Sequence, residues 1–118
     1  MRCRSGADQG TATAETAVAL PGLALVLAVS LAAVQAVATH LACVDAARIG
    51  ARALARGEPD TAVLSLVAQV APDQAETDLS VDGEFARVTV RAPVHLGPGA
   101  TAPVIVGGAA ATPAETRN

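Results

Sequence analysis

Between Glu15 and Asp45 the chain carries no aspartate, glutamate, lysine or arginine. That leaves residues 16–44, 29 positions, with His40 as their single basic side chain. No other feature limits the fold as strongly. A run of that length without charge is either the core of a large protein or a segment made to enter lipid. A 118-residue chain has no room for a core able to swallow it. Residues 17–38 form the apolar part, "AVALPGLALVLAVSLAAVQAVA". As a helix this segment is roughly 33 Å long, against a hydrocarbon layer of roughly 30 Å. The apolar stretch of a cleavable secretory signal is about 7–15 residues, shorter than this one.

The segment is only moderately greasy. Ten leucines and valines contribute roughly −3 to −6 kcal/mol to insertion, and Pro21, Gly22, Ser30 and Gln35 work against them. Small residues at Gly22, Ala28, Ala32, Ala33 and Ala36 permit close approach of a second helix. Pro21 removes one backbone hydrogen bond near the start of the helix and predicts a kink there. Arg2 and Arg4 precede the span, and Arg48, Arg52 and Arg56 follow it, so basic residues alone do not set its orientation.

Beyond the apolar run nothing interrupts the helix until Gly57. The expected N-terminal helix therefore covers residues 13–56, with its membrane part at 17–38. Val44, Ala47, Ala51 and Leu54 make an apolar stripe. Arg48, Arg52 and Arg56 recur every fourth residue on a neighbouring face, and Asp45 is placed to pair with Arg48. Gly57 suits the position just past a helix end.

The remaining residues predict a small α+β unit. Residues 59–71 read as a short second helix opened by Pro59 and stopped by Pro72, with an apolar face of Ala62, Leu66 and Val70 beside Val63 and Val67. Residues 76–82 and 85–92 read as a hairpin. Placing the two-residue loop at Gly83-Glu84 sets Val81 opposite Ala86, Leu79 opposite Val88 and Glu76 opposite Arg91; glycine leading the loop fits a type II′ turn. Phe85, the single aromatic residue, is expected in the core or in hairpin packing. A third strand is expected near 103–106, followed by a flexible tail from about 107.

The chemistry-bearing residues are sparse. His40 and His95 are far apart in the chain, and no His/Cys/acid spacing suits a metal. Neither a nucleophile elbow nor a phosphate-binding loop is present. The acids Asp73, Glu76, Asp78, Asp82 and Glu84 read as a solvated hairpin face. The chain is read as a non-enzyme with no catalytic residues, no metal, no cofactor and no small-molecule substrate. A net charge of −3 argues against a nucleic-acid partner. The two cysteines, Cys3 and Cys43, lie on opposite sides of the apolar run, so no disulfide follows, and Cys43 is expected as a small buried apolar side chain. "HLAC" ending at Cys43 is similar to a lipoprotein signal, but His40 stands where that signal wants an apolar residue.

"GTATAE" followed by the apolar run resembles the processing site of type IV pilin-like proteins, with Gly10 at the cut and Glu15 as the fifth residue after it. With "DQGTATAETAVALPGLALVLA", "VQAVATHLACVDAARIGARALARGEP" and "ARVTVRAPV", the chain is similar to the TadE-like minor pilins of Flp (Tad) pilus systems over residues 8 to about 95. The residue after the glutamate is often aromatic in that family and is Thr16 here. The resemblance implies that residues 1–10 are a prepilin leader cut after Gly10, so that Thr11 becomes the N-terminus. It implies that residues 11–56 form the helix and 57–118 an extracytoplasmic head. Loss of Arg2, Arg4 and Asp8 leaves six basic and ten acidic residues, a net of −4. The implied role is assembly. Glu15 of one subunit meets the Thr11 ammonium of a neighbour in a pilus or secretion filament, at the bacterial cell membrane with the head outside. The implied partners are a prepilin peptidase, the major Flp pilin and other pilins, the Tad membrane platform with its ATPase, and membrane lipid. Two other classes fit the residues themselves. One is a permanent single-span protein with an interaction head. The other is a secreted protein whose signal is cut near 36–38.

Overall fold

The computed structural model describes residues 5–97 and 102–115. Five elements follow one another: α1 (Ser5–Ala55), α2 (Asp60–Val70), β1 (Glu76–Asp82), β2 (Phe85–Val94) and β3 (Val104–Pro113). The architecture is α+β, with a long apolar N-terminal helix, a short second helix and one antiparallel sheet in the order β1-β2-β3. The chain divides into two units, Met1–Ala33 and Val34–Asn118.

From Ala17 onward in the first unit α1 is apolar on every side. Val18 is 77% exposed and Leu23 67%, and the hydroxyls that interrupt the apolar pattern are turned onto the helix itself. Thr13 donates to the Gln9 carbonyl at 2.8 Å, Thr16 to Ala12 at 2.9 Å and Ser30 to Val26 at 2.8 Å. Each such bond satisfies a polar group without water. An 18-residue window of this helix has a mean hydropathy of 2.4 and none of it is buried. By length and composition α1 can cross a membrane. The helix starts at Ser5, earlier than the expected residue 13. It passes through Pro21 as one element, because the proline lacks only one donor and its neighbours keep theirs.

The second unit takes in the C-terminal part of α1, which becomes the centre of its core. Cys43, Ala46, Ala47, Ala51 and Ala53 are buried together with Val63 and Val67 of α2 and Val88, Val90 and Ala92 of β2. The expected stripe is shifted: Cys43, Ala46, Gly50 and Ala53 point inward along with Ala47 and Ala51, and Val44 is half-buried. Arg48, Arg52 and Arg56 remain exposed, and Asp45 reaches Arg48 at 3.6 Å as an exposed i,i+3 pair, a weak interaction in solvent.

The end of α1 is closed by backbone alone. Gly57 takes φ +77, its N–H donates to Leu54 O at 3.0 Å, and the Glu58 N–H donates to Ala53 O at 3.2 Å. This is the paired bond pattern of a Schellman motif. Arg56 and Glu58 bridge across it at 2.6 Å. The next carbonyl, of Ala55, accepts from the Glu115 N–H at 3.2 Å, so residues just beyond β3 complete the cap. In α2 the inward face is Val63 and Val67, with Leu66 partly buried; Val70, expected on that face, is 41% exposed. Pro59 stands at the N-cap, one residue before the helix.

The hairpin has the expected register, with Val81 opposite Ala86, Leu79 opposite Val88 and Glu76 opposite Arg91. Gly83 has φ +58, and Gln74 is the sole non-glycine at positive φ among the described residues. Glu84 is therefore at negative φ, which selects a type II′ turn over type I′. Along β2, Ala86, Val88, Val90, Ala92 and Val94 are all buried. Phe85 falls on the opposite parity and is 50% exposed, so of the two places expected for it the structure rules out the core and leaves it on the outer face of the hairpin, opposite Asp82.

The largest departure lies past residue 106. In place of a flexible tail, Val104–Pro113 forms a ten-residue strand paired with β2 from Val94↔Val104 to Phe85↔Pro113. "GGAAA" has little intrinsic strand preference. What recruits it is space. A Cβ placed on Gly108 would come within 2.6 Å of the backbone N and Cα of Val44, so β3 lies directly against α1.

Two outcomes follow. Gly108→Ala is expected to destabilise the second unit by about 1–3 kcal/mol through overpacking against backbone. Gly22→Ala, where an added Cβ meets nothing within 4 Å, should leave the melting temperature within about 1–2 °C; equal effects in a thermal melt would contradict this packing. Burial also pushes the Cys43 thiol above its ordinary range. The unfolded thiol therefore ionises first, and stability should fall as pH rises past about 8.5. In a Cys3→Ser chain, alkylation of Cys43 should be at least ~100-fold slower folded than in denaturant, and Cys43→Ala should remove that alkaline slope.

Candidate functional site

The residues singled out from the sequence all lie on the first unit of α1. Gly10, Thr11, Glu15 and Pro21 are exposed, and an added Cβ at Gly10 meets nothing within 4 Å. Thr11 and Glu15 are four residues apart, so they share one helix face, one turn from each other. Glu15 forms no ion pair among the described residues, where the ion pairs are Asp45–Arg48 and Arg56–Glu58. Its carboxylate stands at the start of the apolar surface that runs from Val18 to Leu41 along the helix. An exposed carboxylate there can pair with a cation or an ammonium. Cys3, Arg2 and Arg4 lie outside the described residues.

The second unit offers two shallow clefts. One, about 380 Å³, is lined by Gln74, Glu76, Arg91, Ala92, Pro93 and Ile105. The other, about 370 Å³, brings Gln35 and Thr39 of α1 next to Asp73, Gln74 and His95. The sequence separates His95 from the helix by half the chain, but the return of β2 places it beside Thr39, the neighbour of His40. Among the described residues no three His, Cys, Asp or Glu side chains converge as a metal site.

What sequence reasoning missed is the continuation of the solvated hairpin face onto β3. Cross-strand pairing sets the acids Glu76, Asp78 and Asp82 on β1 against Arg91, Thr89 and Phe85 on β2, and these in turn against Gly107, Ala109 and Pro113 on β3. An added Cβ at Gly107 would lie 3.1 Å from Arg91 Cγ, so the aliphatic stem of Arg91 crosses β3 at that glycine. The signal was present in the period-two alternation of β2, but it could not be extended to β3 while residues 107 onward read as a tail.

No family model matches the chain, and no solved structure matches it. It is 42% identical over 84 residues to a protein of Mycobacterium tuberculosis (strain ATCC 25618 / H37Rv) named Apoptosis inhibitor Rv3655c. The match spans 71% of this chain and 66% of the relative, so the chain covers just under two thirds of the length of the protein it resembles.

Proposed function

We propose that this chain is a minor pilin or pseudopilin of a Flp/Tad-type pilus or secretion filament. It is held in the bacterial cell membrane by α1 before assembly, with residues of the second unit outside the cell. The observation that carries this reading is the combination on α1 of an apolar surface exposed all round with one carboxylate at its start, a turn away from Thr11. A charge placed inside a bilayer segment costs about 2.5–3.5 kcal/mol on insertion scales unless it is partnered. Cleavage after Gly10 creates the partner, because it frees an ammonium on Thr11. Within one chain that ammonium and Glu15 lie along the same helix. Between stacked chains, the ammonium of one subunit meets Glu15 of the next, and the two charges offset each other in an apolar bundle while fixing the axial register.

The rest of the chain fits the same role. The modest hydrophobicity of residues 17–38 lets α1 leave lipid for a helix bundle, and Gly22, Ala28, Ala32 and Ala36 allow close packing there. The second unit, locked to the C-terminal part of α1, is the surface such a filament presents. Its partners are a prepilin peptidase, the major Flp pilin and other pilins, and the Tad membrane platform with its ATPase. The role is binding and assembly, with no reaction catalysed.

Two measurements test this. The mass of the mature chain from cells should begin at Thr11. An intact or methionine-trimmed start identifies a permanent single-span protein, and a start near Thr39 a secreted one. Glu15→Ala should still partition into membranes, and should enter sheared filaments at least ~10-fold less than the parent chain. Undiminished incorporation of Glu15→Ala would remove the charge-pairing role.

A further inference from the structure

The sheet has two edges, and they differ. β1 carries Glu76, Asp78 and Asp82 and is contacted by α2. β3 carries no charged residue along its ten positions, and no backbone pairs with its second side among the described residues. Like charges set opposite one another and covering elements are the usual means of blocking strand pairing at an edge. β1 carries such charges and β3 carries none.

The hydrogen-bond parity of β3 is fixed by its last bond. The Ala114 N–H donates to Glu84 O at 2.6 Å, directly beyond the Phe85↔Pro113 pair. In an antiparallel ladder bonded pairs alternate, so the even-numbered residues of β3 bond to β2. The odd-numbered ones, Ile105, Gly107, Ala109 and Ala111, turn their N–H and C=O groups to the open side. Pro113 has this outward parity, and neither it nor Pro103, the residue just before β3, has an N–H to offer. The open side is thus a four-residue window bounded by two prolines, each five residues from Gly108.

We propose that this window is a self-association site, at which β3 of a second copy of this chain pairs antiparallel about a two-fold axis at Gly108. Ile105 of one copy lies opposite Ala111 of the other, and Gly107 opposite Ala109. In this register all four outward residues of each copy exchange hydrogen bonds, and Pro103 falls opposite Pro113. Both strands therefore stop bonding at the same two places. A strand of unrelated sequence has no reason to match prolines so placed, whereas a second copy does so by symmetry. The side chains are compatible as well. Gly107, Ala109 and Ala111 present little bulk on the outer face. Ile105, 60% exposed, is covered at each end of the joint by the second strand. The pairing joins two three-stranded sheets into one of six strands. It depends on β3 and stands whether or not residues 1–10 are removed.

The experiment uses the full chain in detergent micelles with Cys3→Ser as background, since Cys43 is buried. The double variant Ile105→Cys/Ala111→Cys should give intermolecular disulfide dimers on mild oxidation, at least 10-fold above Asp78→Cys on the opposite edge. Ala109→Lys, on the exposed outer face, should lower the dimer fraction at least 10-fold in sedimentation while the circular dichroism spectrum and thermal melt stay unchanged. Equal crosslinking from both edges would overturn the proposal. So would a dimer indifferent to Ala109→Lys, which assigns association to α1, and so would a chain that remains monomeric at every concentration tested.

Discussion

The second unit rests on one close approach, that of β3 to α1 at Gly108 and Val44. No side chain can be inserted there, because the site of an added Cβ at Gly108 is 2.6 Å from Val44 backbone atoms. Gly50 makes a second close approach, to side chains, where an added Cβ would fall 2.7 Å from Val67 Cγ2 and 3.2 Å from Val88 Cγ1. The largest fully buried side chains are valines and one cysteine. A core of this kind cannot gain much from the area of any single residue. It gains from bringing backbones together until alanines and valines touch on all sides, where many small dispersion contacts add up. Overpacking is therefore the sensitive direction in this core.

That constraint explains why the C-terminal part of α1 cannot be separated from the sheet. Its carbonyls are closed by Gly57, Glu58 and Glu115, the last arriving from the far end of β3. Capping, packing and strand pairing share the same short stretch of chain. The N-terminal part of α1 follows the opposite rule. There the hydroxyls bond back to their own helix and the apolar side chains face outward, on a helix long and apolar enough to cross a membrane. One helix thus serves as the centre of a folded core in one unit and as an apolar surface in the other. The division falls near Val34, within the uncharged run.

Much of this was legible in the residues. The long helix, the short second helix and the hairpin with its loop at Gly83-Glu84 follow from periodicity and turn chemistry, and each is found within a few residues of its expected bounds except the start of α1. Gly10 and Glu15 were singled out by their spacing ahead of the apolar run, and Pro21 by its place inside it. The arginine row at 48, 52 and 56 and the Asp45–Arg48 pair were also readable, since helical spacing is a local property. For Phe85 the residue type left core and hairpin open, and strand parity decided for the outer face.

The sequence by itself determined where the chain is apolar, where it turns, and which face of β2 is buried, because each of these depends on neighbours within a few residues. Only the tertiary structure decided the length of β3, the inward shift of the α1 stripe to Cys43 and Gly50, and the edge left open beside Gly107 and Ala109. The glycines and alanines of "VIVGGAAATP" carry little local preference of their own. They become a strand because β2 offers its open ladder to them and Gly108 lets their backbone come down against Val44, and that fit exists only once helix and sheet have met.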